Sequence, residues 1–151
     1  MNNSTNRPYI DEIGNREYVH DLFKNQVGSY IDLVAVKFGD RKINYRELDD
    51  LSQQLANRIL KQSPGSSIVG ISTTRSVEMI VGVLAILKAG KAYLPLDPSY
   101  PQDRLDQIIK DSGIDCCVAI ENETDFFSSF GIAVINPEKQ FTEKAPATIK
   151  Q

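Results

Sequence analysis

Along the chain the apolar positions switch between a helical period of about 3.6 and a strand period of 2, and that alternation lays out the elements. Val19, Leu22, Phe23, Gln26 and Val27 follow helical spacing and predict a short amphipathic helix, with His20 off the apolar positions and expected to be solvated. Leu33 to Phe38 alternates, with Val34, Val36 and Phe38 on one face of a half-buried strand. Gly39-Asp40 supplies a turn, and Arg41 to Ile43 returns as a short partner strand. Tyr45, Leu48, Leu51, Leu55 and Ile59 mark one face of a long helix that Pro64-Gly65 ends. Ser67 to Ser72 reads as a strand, and Val77 to Leu87, apolar almost all round, predicts a helix buried on most sides. Leu105, Ile108 and Ile109 mark a further amphipathic helix ending at Gly113. Asp115 to Ile120 is a strand, Asn122 to Phe130 a short helix capped by Asn122 or Thr124, and Ile132 to Ile135 a last strand. The regular succession of strand and helix predicts an α/β fold, a mostly parallel sheet flanked by helices with right-handed crossovers.

Local chemistry sharpens two boundaries. Asn44 stands three residues before Glu47, a capping-box arrangement in which each side chain satisfies the other's free backbone amide. The stretch from Leu87 to Leu105 reads as a helix end, a strand, a rigid turn and a new helix start. Gly90 suits the left-handed position that closes a helix. Pro95 has no amide hydrogen for a sheet ladder and marks a strand end or an irregular edge. Asp97, before Pro98, is pushed toward extended backbone. Pro101 fits the first helical position, where a missing donor costs nothing.

Composition narrows the classes. The 151 residues are 41% hydrophobic and 25% charged, ordinary values for a chain with a core, and make one domain or one piece of a larger one. A net charge of -3 offers no basic footprint for nucleic acid, and no Lys/Arg cluster suits an anionic membrane. No apolar run is long enough to span a bilayer, and the first residues lack a signal-peptide core, so a cytoplasmic protein is expected. The two cysteines, Cys116 and Cys117, are adjacent in a strand and are read as reduced core residues; the single histidine leaves them without further metal ligands. Residues 1–17 are polar and read as a linker or disordered tail, residues 18–136 carry the periodic pattern, and residues 137–151 turn polar again.

The stretch Leu87-Lys-Ala-Gly-Lys-Ala-Tyr-Leu-Pro-Leu-Asp-Pro-Ser-Tyr-Pro-Gln-Asp-Arg-Leu105 resembles a core motif near the front of amino-acid adenylation domains of nonribosomal peptide synthetases, members of the adenylate-forming AMP-dependent synthetase/ligase superfamily. Ile43 to Leu48 resembles an earlier motif of that family, a Tyr-x-Glu-Leu stretch opening a helix, and Val19 to Gln26 its lead-in. Order and spacing agree over roughly Val19 to Ile135. The resemblance implies the N-terminal subdomain piece of the adenylate-forming fold. It implies an enzyme that joins ATP to an amino acid, giving an aminoacyl-adenylate and pyrophosphate, then passes the aminoacyl group to a phosphopantetheine thiol. ATP and magnesium are implied for the intact enzyme. The family's phosphate loop, its acids for ribose and metal, and its C-terminal lysine lie further along than Gln151, so no cofactor, metal or catalytic residue is assigned to this chain, which is expected to be inactive alone. Residue by residue, the resemblance makes Tyr45, Glu47 and Leu48 helix-start positions and Ala89, Gly90, Tyr93, Pro95, Asp97 and Pro98 strand-and-turn positions. It also implies partners: the rest of the adenylation domain or synthetase, and an MbtH-like protein near Tyr100 to Ser112.

The residues themselves leave a second class of function open. Thr73, Thr74, Arg75 and Ser76 leave the carboxyl end of a strand and enter a helix start, where open α/β sheets bind anions. The plainer reading has Ser76 capping the helix while the threonines and Arg75 are solvated; no glycine-rich phosphate loop is present. Asp97 is likewise either a carboxylate for chemistry or a side chain bonding its own turn. Three functions follow: the front of an amino-acid-activating enzyme, a non-catalytic module docking on a synthetase, carrier protein or MbtH-like partner, or an independent anion-binding domain.

Overall fold

A computed structural model describes residues 18–138. The elements are α1 (Val19–Tyr30), β1 (Val34–Phe38), β2 (Arg41–Asn44), α2 (Tyr45–Gln62), β3 (Ile68–Ser72), α3 (Val77–Lys88), β4 (Ala92–Leu96), α4 (Gln102–Ser112), β5 (Cys116–Val118), α5 (Thr124–Ser128) and β6 (Ala133–Ile135). β3 to β6 form one parallel sheet in the order β4-β3-β5-β6, while β1 and β2 form a separate antiparallel hairpin. The tails expected at 1–17 and 137–151 lie outside the described residues except for Pro137 and Glu138, which belong to the fold: Pro137 is fully buried and Glu138 accepts from the Glu121 amide at 3.1 Å.

The sheet is buried on both faces, as a parallel sheet must be. On one face Leu48, Leu55 and Ile59 of α2 and Val81 and Ala85 of α3 pack against Val69, Ile71, Cys116 and Val118. On the other, Leu105 and Ile109 of α4 and Phe127 of α5 pack against Leu96, Cys117 and Ala119. Successive residues of a strand point to opposite faces. Cys116 therefore enters the first layer and Cys117 the second, both free and buried. Gly70 lies at the centre of β3, opposite Leu94 on one neighbour and Cys117 on the other. Gly82 brings α3 down onto Ile71 and Val118.

The helix ends follow the chemistry of their residues. Asn44 and Glu47 form both halves of the capping box, at 2.8 and 2.9 Å. Asn44→Ala is expected to cost about 1 kcal/mol, or a few degrees of melting temperature, read by thermal circular dichroism; no change would mean the cap is not made. Gly90 (φ 74°) and Gly113 (φ 68°) close α3 and α4 in the left-handed region. At the first, Gly90 donates to the Leu87 carbonyl and Lys91 to the Ile86 carbonyl, nested bonds that satisfy two of the terminal acceptors of the helix. α3 carries one buried cation near its end. Lys88 donates to the Asp49 carboxylate at 2.6 Å and to the Asp49 carbonyl at 3.1 Å, and lies over the Phe23 ring, so that one side chain ties α1, α2 and α3 together.

Five expectations are corrected. Val34 and Phe38 are more than half exposed; a bulge between Val34 and Val36 breaks the alternation, and it is Ala35 and Val36 that meet the core. His20 is only about one-fifth exposed, because its ring stacks on Tyr18. Pro101 is the residue before α4, not its first, and its carbonyl accepts from Leu105. The strand expected at Asp115 to Ile120 contracts to three residues. The helix expected from Asn122 opens instead with a 3-10 turn at Glu121–Glu123, which takes up Asn122 and leaves neither Asn122 nor Thr124 as a cap.

Candidate functional site

The chain steps from β3 outward to β4, then crosses back over β3 to β5. The strand order thus reverses between β3 and β5, and the carboxyl ends of those two strands are where open α/β sheets form a crevice. The loop Thr73 to Ser76 leaves β3 at that point. Because β3 and β4 are parallel with Ser72 opposite Leu96, the turn at Asp97 and Pro98 emerges beside it, and Thr73 donates its amide to the Leu96 carbonyl at 3.1 Å. Of the residues singled out in the sequence, Thr73, Thr74, Arg75, Ser76, Asp97 and Pro98 gather at this edge, and Tyr93 and Pro95 lie on β4 leading up to it.

Within the loop the side chains serve the backbone. Ser76 accepts from the Met79 amide at 3.0 Å and caps α3. Ser72 Oγ accepts from the Thr74 amide, and the Thr74 hydroxyl donates to the carboxylate of Glu123, which arrives from the turn after β5. The second Glu123 oxygen is buried without a partner. Arg75 is exposed. A carboxylate held against Thr74 works against an anion at the same place, since like charges at short range repel. The enclosed space lined by Ser72, Thr74, Ser76, Glu78 and Ala119 is about 10 Å³, the size of one water molecule. Among the described residues no group of three or more His, Cys, Asp or Glu side chains is placed to hold a metal ion.

Asp97 bonds its own turn. Its carboxylate accepts from the Ser99 hydroxyl at 2.7 Å and the Ser99 amide at 2.9 Å, while Tyr100 donates to the Asp97 carbonyl. These bonds favour the charged form and lower the pKa of the carboxyl. Their contribution is present above the ordinary aspartate range and is lost as pH falls through the lowered value. Pro98 occupies the second position of this turn, where its fixed φ is preset.

The other motif residues stand apart. Ala89 and Gly90 sit at the amino edge of the sheet, where α3 gives way to β4. Tyr45, Glu47 and Leu48 open α2: Glu47 is the capping partner, Leu48 is buried, and Tyr45 stacks on Phe23. The hairpin is joined to the carboxyl edge by an ion pair between Arg41 of β2 and Glu78, which is 5% exposed in the first turn of α3. Neither Arg41 nor Glu123 was singled out in the sequence. A lone charge inside the apolar run of α3 does signal that Glu78 needs a partner; which residue answers it depends on tertiary structure.

The cysteines behave as core. Burial away from water pushes the Cys116 thiol up to about 11, despite a hydrogen bond involving Ser63, from an ordinary value of 9.0. Burial, with the nearby Cys116 and Glu123, raises Cys117 further. Since the thiolate is the nucleophile, neither is expected to react with a maleimide near pH 8 while the fold is closed. Stability from the neutral Cys116 thiol is fully present below pH 9 and is lost as pH rises through about 11. Rapid stoichiometric labelling at pH 8 without denaturant would contradict this.

This arrangement, a parallel α/β layer with capped helix starts and a rigid Asp-Pro turn, is that of a known class. The chain matches the family model of AMP-binding enzymes over residues 23–149 and belongs to that family. Among individual relatives, it is 47% identical to bacitracin synthase 1 of Bacillus licheniformis over 64% of this chain and 2% of that protein. It is 33% identical to tyrocidine synthase 1 of Brevibacillus parabrevis over 88% of this chain and 13% of that protein. The fold matches a nonribosomal peptide synthetase, FmoA3 in its α-methyl-L-serine-AMP bound form, with a TM-score of 0.71 at 22% identity over 79% of this chain and 14% of that one. The resemblance to adenylation domains and the α/β expectation are borne out. The chain spans only a small fraction of the relatives it matches.

Proposed function

We propose that this chain supplies the front of the N-terminal subdomain of an amino-acid-activating adenylation domain in nonribosomal peptide synthesis. In the whole domain an amino-acid carboxylate oxygen would attack the α-phosphorus of ATP with loss of pyrophosphate, and a phosphopantetheine thiol would then take the aminoacyl group with release of AMP; magnesium, when bound, would offset phosphate charge. The work proposed for the present residues is architectural. The observation that carries this reading is that two motif carboxylates answer backbone amides: Glu47 with Asn44 and Asp97 with Ser99. The partner is the remainder of the adenylation domain, and the compartment is the cytoplasm, where ATP is available; among the described residues no helix is long and apolar enough to cross a membrane.

ATP–pyrophosphate exchange tests it. The chain alone is expected to give none above background, and exchange is expected once the chain is joined to the following part of an adenylation domain. Exchange, or micromolar ATP binding, by the chain alone would overturn the scaffold reading.

A docking role has one observation in its favour. Tyr100 is 41% exposed just before α4, with the Arg104 guanidinium 5.1 Å from its ring centre, and tyrosine and arginine are enriched at protein interfaces. We place an MbtH-like partner against Tyr100 to Ser112. A pull-down tests this: Tyr100→Ala with Arg104→Ala is expected to abolish capture, and undiminished capture would remove the site.

A further inference from the structure

We propose that the free edge of β6 seats an added β-strand, an extended segment of the rest of the adenylation domain in which acidic and apolar residues alternate. The inference rests on the adenylation reading for its partner and goes beyond it in placing the join. β6 ends the order β4-β3-β5-β6, so among the described residues one side of it has no neighbouring strand. The register fixes which backbone groups are left there. Ala133 donates to the Asp115 carbonyl, and the Ile135 carbonyl accepts from Ala119. In a parallel ladder alternate residues bond to a given neighbour. Ala133 and Ile135 therefore face β5, and Val134 turns its N–H and C=O outward. Unpaired groups of this kind are a template for a further strand.

The opposite edge is built differently. In β4, Ala92 donates to the Ser67 carbonyl and the Leu96 carbonyl accepts from Thr73, which leaves Tyr93 and Pro95 facing out. Pro95 has no N–H to give, so that edge is blunted. β6, Ala133-Val-Ile135, carries neither a proline nor a charge to deter pairing. Its end is also pinned in place, since Arg58 of α2 donates to the Asn136 carbonyl at 3.0 Å.

The surroundings state what the added strand must carry. A groove of about 280 Å³ beside this edge is lined by Arg58, Lys61 and Gln62 of α2 with Val134 and Ile135. Ile135 belongs to the layer under α2, and Val134 packs with the layer on the other face. Residues of an added strand alternate between the same two faces. Those on the α2 side meet the cations Arg58 and Lys61 and are acidic; those on the other side extend the apolar layer. The Glu121 carboxylate does not oppose this, because it is taken up by the Asn136 side-chain amide. A second copy of this chain fits poorly, since its own Arg58 and Lys61 would come to a groove that is already cationic.

Hydrogen exchange read by mass spectrometry, with fragmentation that resolves Val134, tests this on the chain alone and on the chain joined to the following part of an adenylation domain. The Val134 amide is expected to exchange fast in the chain alone and about tenfold more slowly in the joined protein, with Ile135 slow in both. Lys61→Glu in the joined protein is expected to remove most of the slowing at Val134 and leave Ile135 unchanged, and Lys61→Arg to keep it. Fast exchange at Val134 in the joined protein would overturn the proposal. Slow exchange in the chain alone would do the same, by showing that the edge is already covered. Full slowing with Lys61→Glu would overturn the acidic character of the strand. ATP–pyrophosphate exchange with a fast Val134 sinks this inference and leaves the scaffold reading standing; a slow Val134 without pyrophosphate exchange supports the strand and counts against that reading.

Discussion

Phe127→Ala is expected to lower the stability of the fold by about 3–5 kcal/mol, the largest loss from any substitution considered. The ring is fully buried and meets Phe126 edge-on at 5.1 Å. It is also the main attachment of α5, a helix of only five residues. A helix that short has no stability of its own in water, because its few hydrogen bonds do not repay nucleation. Truncation therefore removes the transfer energy of a whole aromatic side chain and leaves a void in the layer between α5 and the sheet. Against a typical total of about 5–15 kcal/mol, this is about a fifth or more of what holds the domain together. At roughly 4 °C per kcal/mol, the melting temperature should fall by about 12–20 °C. Urea denaturation followed by circular dichroism measures it directly; a loss under about 1 kcal/mol would mean that Phe127 is not packed as described.

The second expected effect separates two glycines that look alike in sequence. A Cβ on Gly70 would stand 2.7 Å from the Leu96 methyl and 2.9 Å from Cys117 Cβ. The cysteine Cβ is fixed to the neighbouring strand, so relief requires β3 and β5 to move apart. Gly70→Ala is expected to cost about 1–3 kcal/mol through overpacking. On Gly82 the nearest atom, at 2.6 Å, is the Ile71 terminal methyl, the far end of a side chain that can rotate. Alanine also gains up to about 1 kcal/mol over glycine inside a helix, so Gly82→Ala should come out near neutral. Paired denaturation curves test the ordering; equal losses at the two sites would refute it.

Much of this layout was legible because it is local. The capping box at Asn44 and Glu47, the left-handed closure at Gly90 and the turn bonded by Asp97 each depend on residues within a few positions, and the residue types dictate them. The parallel sheet followed from the succession of strands and helices, though the order β4-β3-β5-β6 did not. The errors arose where distant contacts outweighed local pattern. Alternation in Val34 to Phe38 promised a buried face, but β1 pairs only with β2 and has no sheet beneath it. Asn122 and Thr124 are good cap residues, yet a 3-10 turn, anchored where Glu123 reaches Thr74, shifts the helix start past both. The Arg41–Glu78 and Lys88–Asp49 pairs join residues 37 and 39 positions apart, a distance at which no spacing rule selects a partner.

The opposed directions of Cys116 and Cys117 give the molecule two built-in clocks. A chain keeping only the first thiol would record how often the layer under α2 and α3 admits solvent, and one keeping only the second would time the layer under α4 and α5. Matching trapping rates would mean that the two halves breathe as a single unit. Faster trapping at Cys117 would show that the side carrying the five-residue helix opens by itself.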